Sequence, residues 1–262
     1  MWRHLQLLRK FVATSVVAEM EFRSGFVVLI ISEILQDVIT ITLFTVLYGS
    51  ITTIADWTYP EALLLVGTFM LLTYITHGLF YRNFARVSEY VNEGRLDLLL
   101  TKPVDTQFMM TTRYTAVADL FNIVPALIVI SYAVSRLDQA VTVTAIAGYL
   151  SLIILGVAII YSLWFAISLL AFWLTQIDEI QELWNGLFDY SKYPRQIFDG
   201  GVKILFTFVL PILTIVSFPT EFFLGRIGGS ALIYNLGLAV GLAIGTRWLW
   251  RIGLRRYSSA SS

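Results

Sequence analysis

The chain has no cysteine, two histidines and six prolines, and only 14% of its 262 residues are Asp, Glu, Lys or Arg. Without cysteine there are no disulfides, thiol nucleophiles or thiolate metal sites, and cysteine usage leaves the redox compartment open. His4 and His77 stand far apart, and neither belongs to an H-E-x-x-H zinc pair. No glycine opens a G-x-x-x-x-G-K-S/T phosphate loop, and no serine sits in G-x-S-x-G. A membrane-embedded hydrolase or transferase would need clustered carboxylates or histidines near one interface, and the sequence offers no such cluster. Acids and bases number 18 each, so no net basic field recruits nucleic acid. These absences point away from an enzyme and from a metal or cofactor bound by the chain itself.

What fills the sequence is apolar. Hydrophobic residues make up 57% and mean hydropathy is +0.75, more than one soluble core of this length absorbs. Crossing about 30 Å of hydrocarbon takes roughly 20 helical residues. Six stretches qualify, near 26–50, 61–81, 114–135, 145–175, 202–219 and 230–250. Runs such as LSLIILGVAIIYSLWFAISLLAFWL do not alternate as barrel strands do. The expected fold is an all-α integral membrane domain spanning 1–262. The N-terminal positive patch is followed by acids and no small-residue cleavage site, so the sequence reads as mature chain. With both termini cytoplasmic, sixteen of the eighteen Lys and Arg fall on inside segments, leaving Arg136 and Arg226 outside.

Two amphipathic stretches are expected on the cytoplasmic surface. Residues 2–22 place Trp2, Leu5, Leu8, Val12 and Val16 on one face and Arg3, Gln6 and Lys10 opposite, although Arg9 and Glu19 intrude. Such a helix is either a simple anchor or an elbow that moves with the first span. The second stretch, 175–198, follows the fourth span. Before the last span, 217–229 is an aromatic outer hairpin with Pro219 and three glycines, which predicts partial re-entry into the membrane.

Polar groups inside spans are costly and usually have a reason. Glu33 and Asp37 share one helical face, and Asp119 and Asn122 share another, a turn before Pro125. They are either satisfied locally by neighbouring hydroxyls or mark a wetted pathway or hinge. Gly237, Gly241 and Gly245 recur every four residues, laying a smooth stripe that predicts close helix packing.

One of the most polar stretches, 87–108, lies in the loop 82–113 between spans two and three, yet it crowds Leu96, Leu98, Leu99 and Leu100 together. Gly94 is placed to end one short helix and Lys102-Pro103 to close a second, giving a two-part cytoplasmic knuckle. Its leucines either dip into lipid headgroups or dock another protein. The segment EYVNEGRLDLLLTKPVDTQF resembles the first cytoplasmic loop of type 2 exporter-class ABC transporter permeases, in particular a bacterial subfamily with E-G-x-L-D-x-L-L-x-K-P. KYPRQIF and PTEFFLG are similar to the same subfamily. The resemblance implies a non-catalytic permease in the bacterial inner membrane, paired with a second copy or a related permease. It implies two cytoplasmic ATPase subunits holding ATP and Mg, and alternating access driven through a coupling helix after span two. Arg86, Glu89, Glu93, Gly94, Arg95, Leu96 and Asp97 then become the docking residues. The span faces mix aromatic and aliphatic residues with few charges, which suits an amphipathic or lipid-like substrate but excludes little and leaves its identity open. The competing class is a stand-alone channel or ion-gradient transporter using Glu33, Asp37 and Asp119.

Overall fold

The computed structural model describes residues 2–21, 23–174 and 177–257. Thr175 and Gln176, at the start of the second amphipathic stretch, and the side chains of Trp2 and Arg3 lie outside that description. α1 (Trp2–Glu21) is followed by α2 (Arg23–Ser50), whose apolar surface stays open along most of its length, with Phe44 buried. The chain then reverses at a tight turn in which Ile54 and Trp57 exchange two backbone hydrogen bonds of 3.0 Å. Ala55 and Asp56 at its tip carry φ of 50° and 63°. A two-residue hairpin of this hand requires positive φ at both positions, at a cost of roughly 1–2 kcal/mol for a residue with a side chain.

α3 (Tyr59–Thr76) starts where the Thr58 N–H and hydroxyl both donate to Glu61 Oε2, at 2.7 and 2.9 Å. This places a carboxylate against the positive end of the helix. The helical run continues through a π turn (His77–Tyr81), α4 (Arg82–Phe84) and α5 (Val87–Asn92). Gly94, at φ 72°, breaks it, as the sequence predicts, because glycine tolerates the left-handed region. α6 (Leu96–Leu100) and α7 (Thr106–Thr112) complete the loop. α8 (Val117–Phe121) and α9 (Ile123–Ser135) meet at Asn122, and α10 (Val143–Ser168) follows. The remaining helices are α11 (Asp178–Asp189), α12 (Gly200–Ile204), α13 (Ile212–Phe223) and α14 (Ser230–Arg256).

Five of these helical runs are long and apolar enough to cross a membrane: Arg23–Ser50, Tyr59–Asn92, Val117–Ser135, Val143–Phe172 and Ser230–Arg256. The protein is an all-helical, multi-pass membrane protein. Its core lies where α3, α10 and α13 meet, around the buried Leu64, Leu65, Leu72, Ile159, Ile215 and Val216. Thr68, Tyr149 and Thr220 tie the three helices together: the Thr68 and Tyr149 hydroxyls lie 2.9 Å apart, and the Thr220 hydroxyl donates to Thr68 Oγ1 at 3.3 Å. Close approach depends on glycines in this interior. A β-carbon at Gly67 would stand 2.8 Å from Ile130 of α9, and one at Gly148 would strike the Phe222 ring.

The chain from 177 to 223 packs differently from the sequence expectation. α11 does not stand apart from the bundle. Gln181 donates to the Phe84 carbonyl at one end of the α3 run, and Phe188 packs on Phe69 near its middle. Tyr193 stacks on Phe44, and Gln196 accepts from the Trp57 indole at 3.0 Å at the far end. The segment therefore travels the length of α3. The expected fifth span, 202–219, is two arms, Gly200–Val209 and Ile212–Phe223, bent by 84°. Pro211 lies at the bend, where its missing N–H prevents one helix from continuing into the next. The second arm runs back along α10, from Ile215 beside Gly156 to Phe222 at Gly148.

Candidate functional site

α2, α3 and α11 enclose a cavity of about 530 Å³. From α2 it is lined by Glu33, Gln36, Asp37 and Thr40, at i, i+3, i+4 and i+7 and so on one face. From the α3 run come Phe69, Thr73, Tyr74 and His77, the last at the start of the π turn. A π turn rotates the side chains after it out of α-helical register, and such insertions recur where helices carry function. Glu182, Asn185, Asp189 and Lys192 form the third wall. Tyr74 donates its phenolic hydrogen to Asp37 Oδ2 at 2.7 Å, and Lys192 pairs with Asp189 at 2.7 Å. The cavity thus joins aromatic walls to a surplus of carboxylates.

The sequence singled out Glu33 and Asp37, and both line this cavity. Asp119 is close enough to Glu33, Arg82 and Glu19 to interact with all three, but it does not line the cavity. Asn122 is buried at the α8–α9 joint with both amide atoms lacking a protein partner. Sequence reasoning missed Tyr74, His77 and the α11 wall. A signal for the wall was present: residues 182, 185, 189 and 192 are polar at helical spacing. It reads equally well as a solvated face, because polarity alone does not distinguish water outside a protein from a wet cleft within it.

The other candidate feature is the loop 82–113. Its two ends are locked by Asn83, which is fully buried. The Asn83 amide donates to the carbonyls of Leu79 and Tyr114, at 3.0 and 2.6 Å, and its oxygen accepts the Tyr114 N–H at 2.9 Å. Ala116 N–H donates to the Gly78 carbonyl at 2.8 Å. The Arg86 guanidinium lies 4.0 Å above the Tyr114 ring. Arg95 pairs with Glu89 and, at 2.9 Å, with Glu93, so these three candidate docking charges stiffen the tip across Gly94. Arg86, Glu89 and Arg95 also line a basic hollow of about 420 Å³ together with Lys102 and Arg113.

The leucines divide. Leu96 and Leu99 are buried, whereas Leu98 is 68% exposed and Leu100 is exposed beside it. Leu96, expected among the docking residues, is buried within the chain, and Asp97 is half-buried. At the loop's exit Asp105 accepts the Phe108 N–H at 2.9 Å and pairs with Arg247 of α14 at 2.7 Å. Burial pushes its carboxyl upward, but the Arg247 and Phe108 hydrogen bonds and the charges of Arg247 and His4 outweigh that and hold it below the usual carboxylate range. Gly237, Gly241 and Gly245 are exposed, and a β-carbon on any of them meets nothing within 4 Å. Within one chain the close approach on α14 is instead at Gly253, against Phe172.

A family model described as ABC-2 family transporter protein matches residues 34–261. No curated protein and no solved structure matches the chain.

Proposed function

The chain belongs to the ABC-2 family of transporter proteins, and we propose that it is the membrane-spanning permease subunit of an ATP-driven exporter. One observation carries this reading. A single helical run, 59–92, lines the polar cavity with Tyr74 and His77 and then enters the closed loop at Asn83. A push on the loop is therefore delivered to a wall of the cavity through continuous helix. In this reading two cytoplasmic ATPase subunits dock on the tip of the loop, and a second permease, a copy or a relative, completes the pathway. The subunit holds no nucleotide itself, and ATP and Mg belong to its partners.

The same contacts support a topology. With both termini cytoplasmic in a bacterial inner membrane, α11 and the turns to Phe198 make the fifth crossing, and the bent pair 200–223 re-enters from outside. The crossing needs few residues because 3₁₀ turns and extended backbone rise by about 2 Å and 3.3 Å per residue, against 1.5 Å in an α-helix. Lys192, Arg195 and Lys203 then leave the inner set. The substrate that suits the cavity is an amphiphile: its apolar part meets Phe69 and Tyr193, and any positive charge meets Glu33, Asp37 and Glu182.

The same acids suit a gradient-driven transporter, and one experiment separates the two. The chain is co-expressed with the candidate ATPase and reconstituted. ATP-dependent transport that survives collapse of ion gradients supports the permease; transport without an ATPase partner, lost on collapse, overturns it.

A further inference from the structure

The carboxylate of Glu19, in the last turn of α1, bridges three groups on two other elements. Oε1 accepts the Val117 N–H at 3.1 Å and pairs with Arg82 Nη1 at 2.6 Å, and Oε2 accepts the Ala118 N–H at 3.1 Å. The Glu19 side chain is 10% exposed. One helical turn earlier, the hydroxyl of Ser15 accepts the Thr115 N–H at 3.1 Å. Arg82 precedes Asn83, the residue that locks the loop's two ends. α1 is thus fastened to the two points where the loop leaves one span and enters the next.

Charge-assisted hydrogen bonds of this kind are short and strong, and shielding from water strengthens them further. By contrast α2, which begins two residues after Glu21 ends α1, is held loosely. Among the described residues its side-chain hydrogen bonds to other elements are Asp37 to Tyr74 and Thr45 to Tyr59, and most of its surface is open within the single chain. We propose that Glu19 is a positioning residue that makes the elbow helix follow the neck of the loop, carrying α2 with its Glu33 and Asp37 in the same stroke. This rests on the permease reading. A cap that only anchored α1 would need neither Arg82 nor the adjacent Ser15 bond at the other end of the loop.

The test uses the reconstituted permease–ATPase complex and reads transport per ATP hydrolysed. Glu19→Gln and Arg82→Gln should each lower that ratio by at least about fivefold, the lower end of ordinary coupling between sites. ATPase recovery and basal hydrolysis should stay at the parent level. The double variant should be no worse than either single one, and Arg82→Lys should restore most of the ratio. Unchanged ratios, or a double variant whose loss is the product of the singles, would overturn the role. So would a fall in thermal stability with the ratio intact. A second measurement does not depend on folding of the charge variants: the parent has no cysteine, so cysteines at Ser15 and Thr115 can be joined. A cross-linked complex that still transports supports the two moving as one body, and a blocked one overturns it. A parent complex with no ATP-driven transport overturns the permease reading itself, which keeps the two failures apart.

Discussion

Tyr74 donates to Asp37 across the α2–α3 boundary, the hydroxyl 2.7 Å from Oδ2. This bond is both a wall of the cavity and one of the few attachments of α2, so its loss should affect transport and helix position together. Asp37→Leu should abolish most transport while Asp37→Asn, which still accepts from Tyr74, retains more. Tyr74→Phe should cost about 1 kcal/mol of stability, the usual net worth of such a bond, and lower transport in proportion. Transport assays and thermal unfolding on the same preparations check this; parental transport in both Asp37 variants would remove the acid from the pathway.

The glycine pattern makes a second prediction, and it differs from what spacing alone implies. Gly148 carries the Phe222 ring where a side chain would be, whereas Gly241 faces open space. Gly148→Ala should therefore lower the thermal midpoint clearly. Gly241→Ala should leave it unchanged or raise it, since alanine favours a helix by up to about 1 kcal/mol over glycine. Gly241→Leu should leave the folding of a single chain intact. If it disrupts the assembled transporter while the chain still folds, the stripe packs against a second subunit.

These two cases show what the sequence made legible. Spans two, four and six were readable because long apolar runs have no soluble alternative, and Gly94 was readable because few residues accept its φ. The stripe at 237, 241 and 245 reads as a face another helix can approach closely, and within the single chain that face is open, because spacing reports the shape of a face and not what covers it. The cavity's third wall was hidden for a related reason. The 177–198 segment is polar and broken by 3₁₀ turns, so its sequence does not reveal that it runs along α3. The pairs that place it, Trp57 with Gln196 and Arg195 with Glu221, are 139 and 26 residues apart in sequence. No local pattern encodes a contact at such range.

Topology supplies a third prediction, on which charge counting and packing disagree. Counting Lys and Arg puts 176–203 inside. The contact of Gln196 with Trp57, and the reach of Gln139 to the Phe223 carbonyl, put Asp199 at the same end of the bundle as Gln139 and Thr53. In the cysteine-free chain, single cysteines at exposed Thr53, Gln139 and Asp199 should all react with a membrane-impermeant thiol reagent on intact cells. Protection at Asp199 with labelling at the other two would restore the cytoplasmic helix and a straight fifth span.

The last prediction separates adjacent leucines of the loop. Leu99 is 2% exposed and Leu98 is 68% exposed, although both lie in the same five-residue helix. Burying a carboxylate without a partner is prohibitive, so Leu99→Asp should unfold the knuckle and reduce recovery of the chain itself. Leu98→Asp places its charge in water and should leave folding, insertion and yield at the parent level. Leu98 stands beside the Arg95–Glu89–Glu93 cluster, an apolar projection on a charged tip, and interfaces concentrate energy on such central contacts, often 2 kcal/mol or more for a hot-spot residue. At about 1.4 kcal/mol per tenfold, Leu98→Asp should weaken capture of the ATPase by at least about thirtyfold. Pull-down at several ATPase concentrations measures this, with Leu98→Met as the control that keeps bulk and hydrophobicity. If Leu98→Asp captures the ATPase as well as the parent and couples it as well, the exposed leucine rests on headgroups and the docking surface lies elsewhere on the loop. If instead Leu98→Met also fails, the tip is reporting shape rather than burial, and the cluster around Arg95 becomes the part of the loop to dissect next.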